Sequence, residues 1–247
     1  MSRTIVMIHG MWGSGAYWDN YRRFFEARGY RCLTPTLRYH DVPPHMPPHP
    51  ELGTTSVLQY ADDLQAEIEA LDEPPILMGH SMGGLIAQIL GARGLAQGLV
   101  LLTPASPAGI VAIRYSVIKS FRSGLLRWGF WRKPYRQTFD EAQYAMLHLL
   151  PPAEQRARYL EFGFESGRAA FEIGFWPFDA RRATRVRSRD VRVPALVVAG
   201  QEDRITPASV VRKVARKYGA EYVEFPHHAH WVVGEPGWEE IAEACAG

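Results

Sequence analysis

Six short apolar runs, spaced by longer amphipathic stretches, constrain this chain more than any other feature of its sequence. They fall at 4–8, 31–36, 76–78, 98–102, 195–199 and 221–225. Most are bounded by Gly or Pro and are continuously apolar, as strands buried on both faces must be. Helical periodicity fills the intervals at 16–28, 57–71, 82–92, 208–218 and 238–244. Strand and helix alternating in this way predict right-handed crossovers. The expected fold is α/β: a mostly parallel sheet of about six strands with helices on both faces.

One interval breaks the rhythm. Between 106 and 192 no strand is legible, and helical segments are interrupted by Pro134, Pro151, Pro152 and Pro177. The interval is rich in aromatics, Trp128, Phe130, Trp131, Phe171, Phe175 and Trp176 among them. An insertion after the fourth strand lies beyond the strand ends, where open α/β sheets bind ligands. We therefore expect a helical cap at 106–192 on a core formed by 1–105 and 193–247. A chain of 247 residues can bury one such core, and 47% hydrophobic with 22% charged residues argues against disorder.

Charge is uneven along the chain. The interval 106–192 carries 16 Lys and Arg against 8 Asp and Glu, leaving 12 against 18 elsewhere. The total of +2 gives no argument for nucleic acid. No apolar run approaches the roughly 20 residues that span a bilayer. The short run 5–8 leads into polar, glycine-rich sequence without a cleavage pattern, so a cytoplasmic location is expected. Cys32 and Cys245 fit no metal spacing and read as reduced thiols.

The third apolar run ends in Gly79-His80-Ser81-Met82-Gly83, at the start of an amphipathic segment. A sharp strand-to-helix corner lifts a serine Oγ off the sheet, and crowding there demands small residues two before and two after it. A hydroxyl becomes a nucleophile only if an imidazole takes its proton and a carboxylate orients that imidazole. The fifth run is followed by Glu202 and Asp203, and the sixth by His227, His228 and His230. The order Ser81, Asp203, His230 suits this architecture, with Glu202 as fallback acid and the other two histidines as competing bases. His80 reads as a packing residue. His40, His45 and His49 lie in a proline-rich segment that presents ligands poorly to a metal, so a loop bordering the pocket is expected and no metal site. The six arginines from 181 to 192 read as a solvated linker rejoining cap and core.

These motifs make the chain resemble the α/β-hydrolase fold family, in its small capped esterase/lipase-like form. The likeness rests on His9-Gly10 after the first run, Gly79-x-Ser81-x-Gly83, Gly200-x-x-Asp203-x-x-x-Pro207, and His230-Trp231 before a final helix. It implies Ser81 as nucleophile, His230 as base and Asp203 as its partner. It also implies an oxyanion hole from the Met11 and Met82 amides, with Trp12 and Trp231 walling the pocket. The chain starts at the strand carrying His9-Gly10, so six core strands are expected where larger relatives have eight. Ala229 stands where those relatives usually place a glycine before the base. The implied activity is serine hydrolysis of a small-molecule carboxylic ester without a cofactor. Lactonase, perhydrolase, acyltransferase and hydroxynitrile lyase activities remain open on the same residues, as does a ligand receptor. A lyase would be expected to carry a lysine near the triad, and none precedes Lys213 around Asp203.

Overall fold

A computed structural model describes residues 3–247. Thr4–Ile8 forms β1 and Arg31–Leu33 forms β2, joined through a 3₁₀ turn and α1 (Asp19–Glu26). The expected second strand ran to 36, but pairing with β1 stops at Leu33. Pro35 has no N–H for a ladder, and the Thr36 hydroxyl instead accepts the Gly15 N–H at 3.0 Å. Next come α2 (Val57–Glu69), β3 (Ile76–His80), α3 (Met82–Ala92) and β4 (Gly98–Leu102). Ser56 starts α2 with a capping box closed by Gln59.

The insert follows β4. It holds α4 (Tyr115–Ser120), α5 (Arg122–Leu125), β5 (Pro134–Tyr135), α6 (Phe139–Ala142), α7 (Pro152–Leu160), β6 (Glu165–Ser166) and α8 (Gly167–Gly174). The chain then returns to β7 (Ala195–Gly200), α9 (Ala208–Tyr218), β8 (Glu221–Phe225) and α10 (Trp238–Ala246). The insert is not strand-free, because β5 and β6 pair antiparallel. Two residues per strand leave no period to read in a sequence.

The main sheet has six parallel strands in the order β2-β1-β3-β4-β7-β8. Helices flank it on both faces, with α3 packed on β1, β3 and β4, and α9 on β7. The order reverses between β1 and β3, which opens a crevice at their carboxyl ends. Gly79 lies level with Ile8 in the β1–β3 register, so the loop after β1 meets the loop after β3.

Two buried carboxylates bolt the insert to the core. Glu165 of β6 accepts the Tyr60 hydroxyl at 2.8 Å and lies 3.1 Å from His40 Nε2. Glu172 of α8 accepts the Ser56 hydroxyl and the Val57 N–H, both at 2.9 Å, at the start of α2. An anion there also favours the positive end of the helix. Glu172 also pairs with Arg168 at 2.7 Å, and removing the Tyr60 or Ser56 hydroxyl leaves a buried acceptor short of a donor, which costs about 1–3 kcal/mol. This half of the insert is therefore fixed on α2.

Candidate active site

Ser81 sits between β3 and α3 at φ +54° and ψ −119°, a conformation a non-glycine residue adopts only when its surroundings force it. The neighbours supply that force. A Cβ at Gly79 would run into the Gly83 backbone, and one at Gly83 into the carbonyls of Ile8 and His9. Glycine at both positions lets the corner close, and the close approach of α3 to β1 holds Ser81 at the crevice. Its own N–H donates to the Leu102 carbonyl at 3.0 Å, and its carbonyl accepts the Ala105 N–H at 2.8 Å.

The two loops at the far strand ends converge on it. His230 Nε2 lies 2.9 Å from Ser81 Oγ, and His230 Nδ1 lies 2.7 Å from Asp203 Oδ2. Asp203 Oδ1 accepts the N–H groups of Ile205 and Thr206 at 2.7 and 2.8 Å. Burial pushes the Asp203 carboxyl up, but the adjacent His230 ring and the hydrogen bonds from His230 and Thr206 outweigh it and hold it below the ordinary carboxylate range. An ionised Asp203 beside Nδ1 keeps the Nδ1–H tautomer and leaves Nε2 free to accept the serine proton.

The competitors are placed elsewhere. His227 is exposed and faces Glu202 at 3.9 Å. His228 pairs with buried Glu235 at 3.0 Å. Neither histidine reaches Ser81, and Glu202 does not reach His230. His80 directs Nε2 to the His230 carbonyl at 2.8 Å; burial, then the nearby His230, lowers its pKa to about 3. It holds the His230 backbone as a neutral ring. His9 is likewise held to about 3 by burial, then by His40. His40 turns inward to Glu165, while His49 stacks on Tyr39 and His45 is exposed. Among the described residues no group of three or more His, Cys, Asp or Glu is placed to hold a metal ion.

The other predicted residues surround the corner. A Cβ at Gly10 would lie 2.9 Å from the Ser81 Cβ, so the Gly10-Met11 stretch runs directly against the serine. Met82 opens α3, and the first helix-closing donors are the Gly84 and Leu85 N–H groups, both to the Ser81 carbonyl. The Met82 N–H precedes that ladder. Trp12, at φ +63°, is buried against Phe121 and Tyr135 of the insert and donates Nε1–H to the Tyr135 carbonyl at 3.2 Å. Trp231 is buried between Tyr17, Phe162 and His80, a packing position at the seam of core and insert.

Two supporting residues escaped the sequence reading. Thr206 Oγ1 lies 2.7 Å from Asp203 Oδ2, 3.0 Å from the Thr103 carbonyl and 3.3 Å from His230 Nδ1. Glu235 accepts the Ala229 N–H at 2.9 Å and so braces the loop that carries His230. The short Asp203-to-Thr206 spacing was a signal for the first, since side chains three apart in a tight turn share donors. Nothing local marked the second.

Residues 5–244 match a family model described as the alpha/beta hydrolase family. A Mycobacterium tuberculosis protein designated a non-heme bromoperoxidase is 27% identical over 249 residues, spanning 92% of this chain and 86% of that one. The sn-1-specific diacylglycerol lipase of Mus musculus is 35% identical over 92 residues, 36% of this chain and 28% of that protein. Among solved structures, an extracellular alpha/beta-hydrolase from a Paenibacillus species superposes with a TM-score of 0.76 at 18% identity, covering 98% of this chain and 97% of that one. A pyrethroid hydrolase from Sphingobium faniae gives 0.70 at 21% identity, covering 100% and 96%. At such identities the structural likeness establishes the fold.

Proposed function

We propose, from the premise that this chain belongs to the alpha/beta hydrolase family, that it is a serine hydrolase cleaving carboxylic esters through an acyl-enzyme. One observation carries the reading: the continuous relay from Ser81 Oγ through His230 to Asp203, with links of 2.9 and 2.7 Å. Ser81 Oγ attacks the ester carbonyl carbon while its proton passes to His230 Nε2. The negative charge arriving on the carbonyl oxygen is met by the Met82 and Met11 N–H groups, beside the positive end of α3. Collapse of the adduct breaks the bond to the alcohol, which leaves with the proton from His230. Water then gives a proton to His230 and attacks the acyl carbon; as the bond to Ser81 Oγ breaks, His230 returns that proton to the serine and the acid leaves. Asp203 stays ionised throughout and stabilises the imidazolium. No cofactor takes part in these steps.

The segment 106–192 acts in this reading as a cap over the Trp12 side of the site, with core units at 1–105 and 193–247. Phe121 and Tyr135 supply its contact there. The substrate is a small ester with an apolar acyl or aryl group. The test is a panel of p-nitrophenyl esters of graded acyl length, read for kcat and KM. Saturable turnover with a chain-length optimum supports the reading. Tight binding without turnover points to a ligand receptor and overturns it. The designation of the M. tuberculosis relative favours one second reading. Hydrogen peroxide would replace water at the acyl-enzyme and release a peroxyacid, so the same assay with added peroxide separates the two products.

A further inference from the structure

The insert carries an apolar, acid-free arm close to the candidate site. Six of the nine exposed large hydrophobic side chains among the described residues fall between 111 and 128: Val111, Ile113, Tyr115, Ile118, Leu126 and Trp128. Tyr115, Leu126 and Trp128 are 78%, 79% and 85% exposed. Soluble proteins scatter such residues singly, and a concentration of them marks a surface that meets something apolar. Tyr115 and Ile118 lie one turn apart on α4, and Ser120 at the other side of that helix is buried. The exposed apolar side chains thus turn outward, away from the insert's own core.

The charges along the arm itself have one sign, and Glu141, which accepts the Ser123 N–H and hydroxyl at 2.6 Å, is buried beneath it. From 106 to 139 the sequence has seven Lys and Arg and no Asp or Glu. Arg114, Lys119, Arg122 and Arg127 are exposed among the apolar side chains. A protein partner for such a face would need a matching acidic rim on an apolar centre. An anionic bilayer supplies both at once, with acyl chains for Leu and Trp and headgroup phosphates for Arg and Lys. Trp128 and Tyr115 suit the headgroup level. No helix among the described residues is long and apolar enough to cross a membrane, which limits the contact to lying on the surface.

We propose that residues 111–128 form a docking surface for an anionic phospholipid bilayer. The arm begins a few residues after Ala105, whose N–H is bonded to the Ser81 carbonyl. Its Phe121 ring lies 5.7 Å from Trp12, so docking brings the candidate site close to the lipid surface. The other half of the insert, fixed on α2 through Glu165 and Glu172, makes the platform rigid.

The experiment is co-sedimentation of the full chain with vesicles of phosphatidylcholine alone or with phosphatidylglycerol. Strong partitioning only with phosphatidylglycerol, weakening as salt rises, is expected. Arg114→Ala with Arg122→Ala should weaken it by about 25-fold, from roughly fivefold per cation. Ile113→Ser with Leu126→Ser should weaken it by at least ~10-fold. Both variants replace exposed side chains, and thermal melts matching the wild type confirm that they fold. Brominated lipid should quench tryptophan fluorescence in the wild type, and most of that quenching should vanish in Trp128→Phe. Equal binding to both vesicle types, or none to either, overturns the proposal. So does sedimentation equilibrium showing a dimer that Ile113→Ser with Leu126→Ser dissociates, because a second copy then covers the face. Binding is read without turnover, so its failure leaves the ester-hydrolysis proposal standing.

Discussion

Asp203→Asn tests the relay through an atom-by-atom consequence of the carboxylate's surroundings. The two backbone donors, Ile205 and Thr206 N–H, converge on Oδ1. An asparagine must keep its single oxygen there, because turning the amide would face two N–H donors with a third. Its NH₂ group therefore replaces Oδ2, 2.7 Å from His230 Nδ1. A donor in that place forces Nδ1 to accept, which moves the ring proton to Nε2. Nε2 then donates to Ser81 Oγ at 2.9 Å and cannot take its proton. The variant should fold, lose its imidazolium counter-charge and fall in kcat by about 10⁴-fold. That loss corresponds to about 5 kcal/mol of transition-state stabilisation. The assay is p-nitrophenyl ester hydrolysis with a thermal melt alongside, and Glu202→Gln as the matched neighbour. A rate within tenfold of wild type in a folded Asp203→Asn refutes the reasoning. A larger loss in Glu202→Gln moves the acid to the wrong residue and refutes it too.

Two predictions concern stability. Gly83→Ala should destabilise by about 3 kcal/mol in denaturant melts, since its Cβ meets the Ile8 and His9 carbonyls at the end of β1, which is paired on both sides; Gly174→Ala, with open space at the same atom, should leave stability within ~1 kcal/mol. Stability should also fall on acidification from the ordinary histidine value of 6.5 towards about 3, because His9 and His80 stay neutral when folded and take up protons when unfolded. Each should contribute a slope of about 1 kcal/mol per pH unit. His148 is lowered in the same direction, whereas His40 is raised and acts only above 6.5. Denaturant titrations at about pH 5 and 6.5 read the slope, and a flat profile contradicts the buried neutral rings.

What the sequence reveals follows from how local each cause is. The Ser81 corner is legible because its steric demand falls on Gly79 and Gly83, two residues away on either side. Asp203 and His230 are legible because each follows a strand whose apolar run announces it. The sheet's left edge is less so, since Pro35 ends β2 before its apolar pattern ends. The attachments of the insert are illegible for a different reason. Glu165 meets Tyr60 and His40, and Glu172 meets Ser56, across more than a hundred residues of chain. A lone glutamate, whether in β6 or in α8, carries no mark of a buried partner that far away. Glu235 is close to Ala229 in sequence, yet only the turn between them shows that its carboxylate points inward.

The central claim is that Ser81 is the nucleophile. The most direct measurement is labelling of the full chain with a fluorophosphonate, followed by peptide mass spectrometry. The account predicts one adduct, on the peptide that carries Gly79-His80-Ser81-Met82-Gly83, with ester hydrolysis lost in step with labelling. Ser81→Ala should fold, take no label and lose at least ~10⁴-fold in kcat/KM. An adduct on another residue, or ester hydrolysis that survives in Ser81→Ala, would contradict it.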